Sequence, residues 1–364
     1  RAAGERAVDP EALMLYSERQ YAARGFPFVP FTRDLEVYWA EGRELVSLEP
    51  TWVPASLVYP NYFVDTLAHE PRTHFVNLSG IAAGGGREDA ERSALEEVIE
   101  RDAVTVWWIS GSPPDLLDLS SEPRLVAAMT PSRPDDPLPL DYQLFAVPNV
   151  FDVPVFGALL RDPKHDIVTI GVASRADPVT GALKALAEAV HLRGYSRELL
   201  AEDGKVWQLM GDGILDRRVY KSFRSDRRYM DDYRDDFHDV VDLGCHAQIY
   251  LDPRMQRHLS RFDDAATGGK GSKPLAAVTP IPEADRADLR ATYLRRLGNE
   301  GITAYSVDVT TPDVESVGLS VVRVVAPGLY GNAPAAFPML GGRRLYEDPV
   351  RLGLLGRAPS EDEL

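Results

Sequence analysis

The stretch from Ser79 to Asp102 constrains this chain more than any other, because a glycine run, Gly80-Ile-Ala-Ala-Gly-Gly-Gly86, opens directly into an amphipathic helix dense in carboxylates. At about 100° per residue, Leu95, Ile99 and Val106 gather on one side of that helix. Ser93, Glu97 and Glu100 fall on the other side, spaced i, i+4, i+7. Ala90, Ala94 and Val104 flank these oxygens, so the carboxylates belong to a wall that is at least partly buried. Two close carboxylates in such a wall raise each other's pKa unless a cation joins them. Magnesium, an oxygen-seeking ion that arrives with phosphates, suits them. Taken alone, the spacing fits a solvated helix face better, since Glu is a good helix former.

A second comb changes that balance. Asp177-Pro178 is a cap and first turn for a helix running to about residue 193. Leu183, Leu186, Ala187 and Val190 form its expected apolar stripe, leaving Lys184, Glu188 and His191 at the same i, i+4, i+7 spacing.

The motifs Ser79-Gly-x-Ala-Ala-Gly, Ser93-x-x-x-Glu97-x-x-Glu100-Arg101-Asp-Ala and Ala-Leu-x-Ala-Leu-x-Glu188-Ala occur in this order. Trp52-Val-Pro-Ala near the front, Val321-Val-Arg323-Val-Val-Ala-Pro327-Gly-Leu and Leu340-Gly-Gly-Arg-Arg344-Leu follow the same scheme. Together they resemble the YcaO superfamily of ATP-dependent peptide-backbone-modifying enzymes, over roughly residues 45 to 350. The resemblance implies an α+β, YcaO-like fold of mixed and antiparallel sheets with packed helices and the ATP site between them. It divides the chain into an N-terminal segment (1–44), a catalytic domain (45–350) and a tail (351–364).

The composition agrees with a globular enzyme. The 364 residues are 44% hydrophobic, and 40 basic against 56 acidic side chains give a net charge of −16, with no basic run that would hold a nucleic-acid backbone. A single cysteine, Cys245, precludes an internal disulfide framework and suits a reducing cytoplasm. No apolar run reaches the roughly 18 residues that span a bilayer. The glycine run lacks the Gly-Lys-Ser/Thr of a P-loop and the Gly-x-Gly-x-x-Gly of a dinucleotide fold. Residues 10–24 are expected to form a helix. Strands are expected at 142–147, 153–160, 167–173, 303–309 and 318–325, an amphipathic helix at 283–298, and surface excursions at 131–137 and 263–274. Tyr229, Tyr233 and Phe237 are expected in the core. Arg323, inside an apolar strand, needs either a buried carboxylate or an anionic ligand.

The resemblance implies that Glu97, Glu100 and Glu188 hold Mg2+, that Ser93, Lys184 and Arg323 touch ATP, and that Ser79 lies close to it. Lys184 and Arg323 are the catalytic candidates. His191, a further cofactor-binding candidate, stands where azoline-forming relatives often have Gln, and its imidazole is a poorer magnesium ligand than an oxygen. The implied reaction is attack of a nucleophile on a peptide carbonyl, phosphorylation of the resulting oxyanion and loss of phosphate, giving an azoline or a macroamidine from a ribosomally made precursor peptide. Many azoline formers end in Pro-x-Pro-x-Pro, whereas this chain, which does not begin with Met, ends Arg357-Ala-Pro-Ser-Glu-Asp-Glu-Leu364. The sequence is read as carrying no fused leader-peptide-binding domain ahead of the catalytic domain. A separate recognition protein or partner enzyme, or a stand-alone bottromycin-like type, is therefore expected, with a homodimer left open. The alternatives are a thioamide-forming YcaO, a non-catalytic peptide-binding scaffold and, from the combs alone, a generic magnesium-dependent ATP ligase.

Overall fold

The computed structural model describes residues 5–63, 67–130, 140–216, 219–267 and 271–364. The excursion expected at 131–137 lies outside these residues, as do 268–270 of the loop expected at 263–274, whose first residues instead complete a helix that runs from Ser260 to Thr267 and buries Phe262. Two five-stranded sheets carry the chain. The first, in the order β2 (Pro50–Pro54), β1 (Trp39–Glu44), β9 (Tyr305–Asp308), β10 (Ser320–Val325), β3 (Ile81–Gly84), is antiparallel throughout. The second runs β7 (Ile167–Ser174), β6 (Val155–Asp162), β5 (Asp141–Ala146), β4 (Asp115–Asp118), β8 (Lys273–Pro274), with one short parallel pairing at β4–β8. This is the expected α+β architecture, and β5, β6, β7, β9 and β10 overlap the strands expected at 142–147, 153–160, 167–173, 303–309 and 318–325.

Helix α1 (Arg87–Ile109) is the element both sheets share. It packs on β3 and β10 of the first sheet and on β7 of the second. Ala90, Ala94, Leu95, Ile99 and Val106 are buried, and so are Glu91, Glu96, Glu100 and Asp102. A helix flanked by two sheets has little solvent face to spare. Gly80, ahead of β3, adopts φ +89°, and a Cβ there would meet the backbone of Val324 on β10. The glycine run thus holds the chain against β10 before the helix starts.

Helix α2 (Pro178–Leu200) covers β6 and β7. Asp177 caps it by accepting the Thr180 N–H at 2.8 Å, and Pro178 opens the first turn. The buried face differs from the expected stripe. Leu186 is buried, but Ala187 and Val190 are exposed, and the contact face is Ala182, Ala185, Leu186 and Ala189. The smallest side chains win because α2 lies directly on the β7 backbone at Gly171, where a Cβ would collide with the main chain of Ala185 and Ala189. The rotation leaves Glu188 half-buried at the margin of the interface rather than on an outer face.

Residues 10–24 do not form one helix. A 3-10 turn at Pro10–Ala12 and a short helix at Glu18–Ala22 are separated by extended backbone at Leu13. The break sends Leu15 and Tyr16 into a core with Tyr330, Met339 and Leu345, where the Leu15 carbonyl accepts the Gly341 N–H at 3.0 Å. The expected amphipathic helix at 283–298 is realised as a turn at Glu283–Arg286 and α5 (Leu289–Asn299), the latter capped by Asp288. The intervening α3 (Leu243–Ile249) and α4 (Ser260–Thr267) pack over the second half of the molecule, where Tyr229 and Tyr233 are core residues and Phe237 is half-buried against them. Among the described residues no helix is long and apolar enough to cross a membrane.

Gly171→Ala forces α2 off β7. A loss of about 1–3 kcal/mol is expected from overpacking, read as a lower midpoint in denaturant at unchanged slope. An unchanged midpoint would show that the helix–strand approach is looser than described.

Candidate active site

The carboxylates of α1 fall into two groups by what neutralises them. Glu91 pairs with Arg290 at 2.7 Å, Arg43 at 2.9 Å and Arg87 at 3.1 Å. Glu96 pairs with Arg175 at 2.9 Å and Arg92 at 3.3 Å, and accepts the Tyr293 hydroxyl at 2.9 Å. Asp102 takes two bonds of 2.7 Å from the Arg344 guanidinium and a third, of 2.9 Å, from the Tyr330 N–H. Arg344 continues to Asp348 at 2.8 Å, which fastens α6 (Arg344–Arg351) to α1. These are matched ion pairs, and losing one partner would leave a bare buried charge.

Glu97 and Glu100 form the second group. Their cation is Arg101, at 4.0 Å and 3.4 Å, which they share. Glu100 is 4% exposed, and its Oε2 accepts the Ser174 N–H at 3.0 Å. Glu188, from α2, accepts the Val172 N–H at 3.2 Å. Val172 and Ser174 are two residues apart on β7, the last strand of its sheet, so both N–H groups point off the same edge, about 7 Å apart. Carboxylates from the two combs therefore meet at one strand edge.

The electrostatics follow from that meeting. Burial pushes the Glu100 carboxyl up to about 7, and the charge of Glu188 pushes the same way, against Arg101, the Ser174 N–H and Lys184. Burial also raises Glu97, against Arg101, the Gly80 N–H, Arg323 and Lys184. Glu97 and Glu100, held above their ordinary pKa by burial and in the case of Glu100 also by the charge of Glu188, are short of positive charge.

Opposite them, Arg323 on β10 is 1% exposed. Its Nη2 donates to the Asn77 carbonyl at 2.6 Å, while Nε and Nη1 have no partner among the described residues. Burial lowers its pKa to about 10, with Glu97 opposing. The buried-carboxylate explanation for this arginine is not realised as an ion pair. Ser79, whose N–H donates to Asn77 Oδ1 at 2.9 Å, lines a small cavity with Arg323, Asn77 and His74.

The structure thus brings Glu100 and Glu188 to one strand edge, sets Lys184 within the field of Glu97 and Glu100 and Arg323 within that of Glu97, and places Ser79 beside Arg323. Lys184 is exposed one turn before Glu188, and His191 is exposed one turn after it. Ser93 is half-buried a turn before Glu97, and nothing beyond this position ties it to the cluster. Arg101 was missed as a site residue, although it stands next to Glu100 in the quoted motif. Among the described residues no three His, Cys, Asp or Glu side chains close into a metal cage. The donor set fits a metal that brings its own oxygens, since magnesium takes one or two carboxylates and completes its shell with phosphates and water. The unpartnered donors of Arg323 fit an anion at the same place.

A family model described as YcaO cyclodehydratase, ATP- and Mg2+-binding, matches residues 1–330. The chain belongs to the YcaO family. An uncharacterised protein from Methanothermobacter thermautotrophicus is 26% identical over 339 residues, covering 88% of this chain and 70% of that one. A heterocyclase in complex with substrate and cofactor superposes over 98% of the chain with a TM-score of 0.69 at 21% identity, and the heterocyclase TruD over 98% with 0.66 at 20%. The chain spans 43% and 44% of those two proteins. YcaO from Methanopyrus kandleri, bound with AMPPCP and Mg2+, superposes over 84% of the chain and 71% of its own length, with 0.51 at 20% identity. These likenesses carry the YcaO fold, and ATP with Mg2+ are the cofactors of the family.

The raised Glu100 fixes the sign of a pH effect. Its folded pKa lies above the unfolded value, so the unfolded chain releases this proton first, and stability falls as pH rises from about 4.5 to about 7. Glu100→Gln keeps an acceptor for the Ser174 N–H and removes the charge. Its midpoint temperature without metal should exceed that of the parent by on the order of a few degrees at pH 8, and the gap should close by pH 4.5. A constant gap across that range would disprove the assignment.

Proposed function

We propose that this chain uses ATP and magnesium to activate a backbone amide of a ribosomally made peptide, so that a Cys, Ser or Thr side chain, or an amine, closes to an azoline or a macroamidine. The observation that carries this reading is the set of under-neutralised carboxylates from two helices facing a buried arginine with free donors. That pairing of an acidic half with a cationic half is what a magnesium–nucleotide complex requires, because phosphoryl transfer is chiefly positioning and charge neutralisation.

In this reading Glu97, Glu100 and Glu188 hold the metal. Arg323 and Lys184 meet phosphate oxygens, and Ser79 and Ser93 border the nucleotide. Bound there, the nucleotide supplies a phosphoryl group to the amide oxygen, which departs as phosphate while the peptide loses the elements of water. Arg101, half-buried between Glu97 and Glu100, favours the ionised form of both acids against the effect of burial and orients them, which makes it a positioning residue. His191, at the exposed end of its comb, contributes a hydrogen-bonding group rather than a magnesium ligand. The peptide is recognised with the help of a separate protein, a proposal consistent with the larger size of the matched heterocyclases. The acids that an idle scaffold would be free to lose are all present.

The purified chain, incubated with ATP, Mg2+ and candidate precursor peptides, should release phosphate and shorten the peptide mass by one water. Glu97→Gln, Glu100→Gln and Glu188→Gln should each lower phosphate release by on the order of 100-fold, as loss of a preorganised charge does at other active sites. Exchange of peptide oxygen for sulfur would move the assignment to thioamide formation. Phosphate without any change in the peptide would point to a ligase, and neither signal to a scaffold.

A further inference from the structure

The edge of β7 that receives Glu100 and Glu188 continues past them. The Val147 N–H bonds to the Val155 carbonyl at 2.9 Å, so Val155 turns its backbone groups toward β5 and away from β7. Val155 stands opposite Ser174 in the β6–β7 register, which makes that pair the kind that exchanges no hydrogen bonds. The backbone N–H and C=O of Ser174 therefore point off the sheet. The unbroken register repeats this every second residue, at Val172, Ile170 and Val168. The bonds from Ser174 to Glu100 and from Val172 to Glu188 confirm the parity. Farther along, no side chain among the described residues bonds to the outward groups of Val168 and Ile170.

They open instead into a slot. Val168, Thr169, Ile170 and Val172 line one side, Val104 and Trp108 of α1 the second, and Leu192 of α2 with Tyr250 beyond α3 the third. Arg101 stands in the same slot, at the end nearest the acidic cluster. Proteins usually blunt a strand edge with charge, proline or a covering element. The sequence Ile167-Val-Thr-Ile-Gly-Val-Ala-Ser174 has neither charge nor proline, and the walls are mostly apolar.

We infer that the β7 edge is the substrate-binding strand: an extended, uncharged stretch of the peptide pairs with the outward N–H and C=O groups of Val168 and Ile170. Its alternating side chains lie against the Val104/Trp108 and Leu192/Tyr250 walls. Main-chain bonds supply affinity in such strand addition, and the walls supply selectivity. At about 3.4 Å per residue, an amide two or three residues beyond the paired segment falls beside Arg101 and Glu100. The inference rests on the proposed function for what happens to that amide, and not for the pairing itself. It predicts substrates with an apolar or hydroxyl-bearing stretch flanking the modified residue, because a charge between these walls would be desolvated without a partner.

The probe is a capped, fluorescently labelled hexapeptide of Val, Leu, Thr and Gly, with binding followed by anisotropy in the absence of nucleotide. Single N-methylation should weaken binding about tenfold or more at every second position and leave the intervening positions unaffected. Ile170→Pro removes an N–H that faces the slot, at an edge position proline tolerates, together with a side chain half-buried beside the Trp107/Phe145 core, and should weaken the same peptide to a similar degree. Ile170→Ala, which trims the side chain and keeps the N–H, should weaken it less. Binding of Mg2+–AMPPCP by the proline variant should be unchanged, which also reports that the variant is folded. No binding by the unmodified peptide, or an N-methyl effect without a two-residue period, overturns the inference. Loss of nucleotide binding in Glu188→Gln with peptide pairing intact would confirm the strand site. If Glu188→Gln kept full nucleotide binding, the proposed function would fail while the peptide result stood.

Discussion

Taking an ionised carboxylate out of water costs on the order of several kcal/mol unless a cation meets it, and α1 carries five such groups between two sheets. Three of them, Glu91, Glu96 and Asp102, are met by arginines from outside the helix. Among the described residues Glu97 and Glu100 form ion pairs only with Arg101, which they share, and Glu188 of α2 adds a third charge beside them. The helix is thus stabilised by pairing along most of its length and left electrically unfinished over one turn. That turn faces Arg323, whose free donors leave the opposite deficit. A fold that neutralised every group would be more stable and would have no reason to bind a magnesium–nucleotide complex.

The two sheets make this imbalance sustainable. β10 and β3 hold Arg323 and the glycine run on one side of α1, and β7 offers its backbone N–H groups to Glu100 and Glu188 on the other. These amides give each carboxylate one fixed dipole, enough to orient it without discharging it. Because the donors lie on a strand, the separation of the two acids is set by β geometry rather than by side-chain flexibility. The same edge that spaces the acids offers pairing groups to a peptide.

The acidic combs, the strand positions and the YcaO family were legible in the sequence, because helical spacing and motif order depend only on local order along the chain. The sorting of the carboxylates was not. Arg43, Arg175, Arg290 and Arg344 lie far from α1 in sequence, and nothing near Glu91, Glu96 or Asp102 announces them. The rotation of α2 was hidden for a related reason: Leu183 and Val190 are better apolar residues than Ala185 and Ala189, but only the smaller pair fits over Gly171. The break at Leu13 was set by tertiary demand, since Leu15 and Tyr16 reach the core only in extended backbone. The significance of Arg101 lay in a motif already quoted, yet its role appears only once Glu97 and Glu100 are seen to depend on it.

Arg344 binds Asp102 through two nitrogens, reaches the Gly328 carbonyl at 2.7 Å and stands over the Phe151 ring. Asp102 follows Glu100 by two residues, so the start of α6 is keyed to the turn of α1 that carries the unpaired acids. Peeling α6 away would strand a fully enclosed anion in the middle of the molecule. The closing helix is therefore not a late ornament that frays on its own: it melts together with the nucleotide-facing turn, and the order of one reports the integrity of the other.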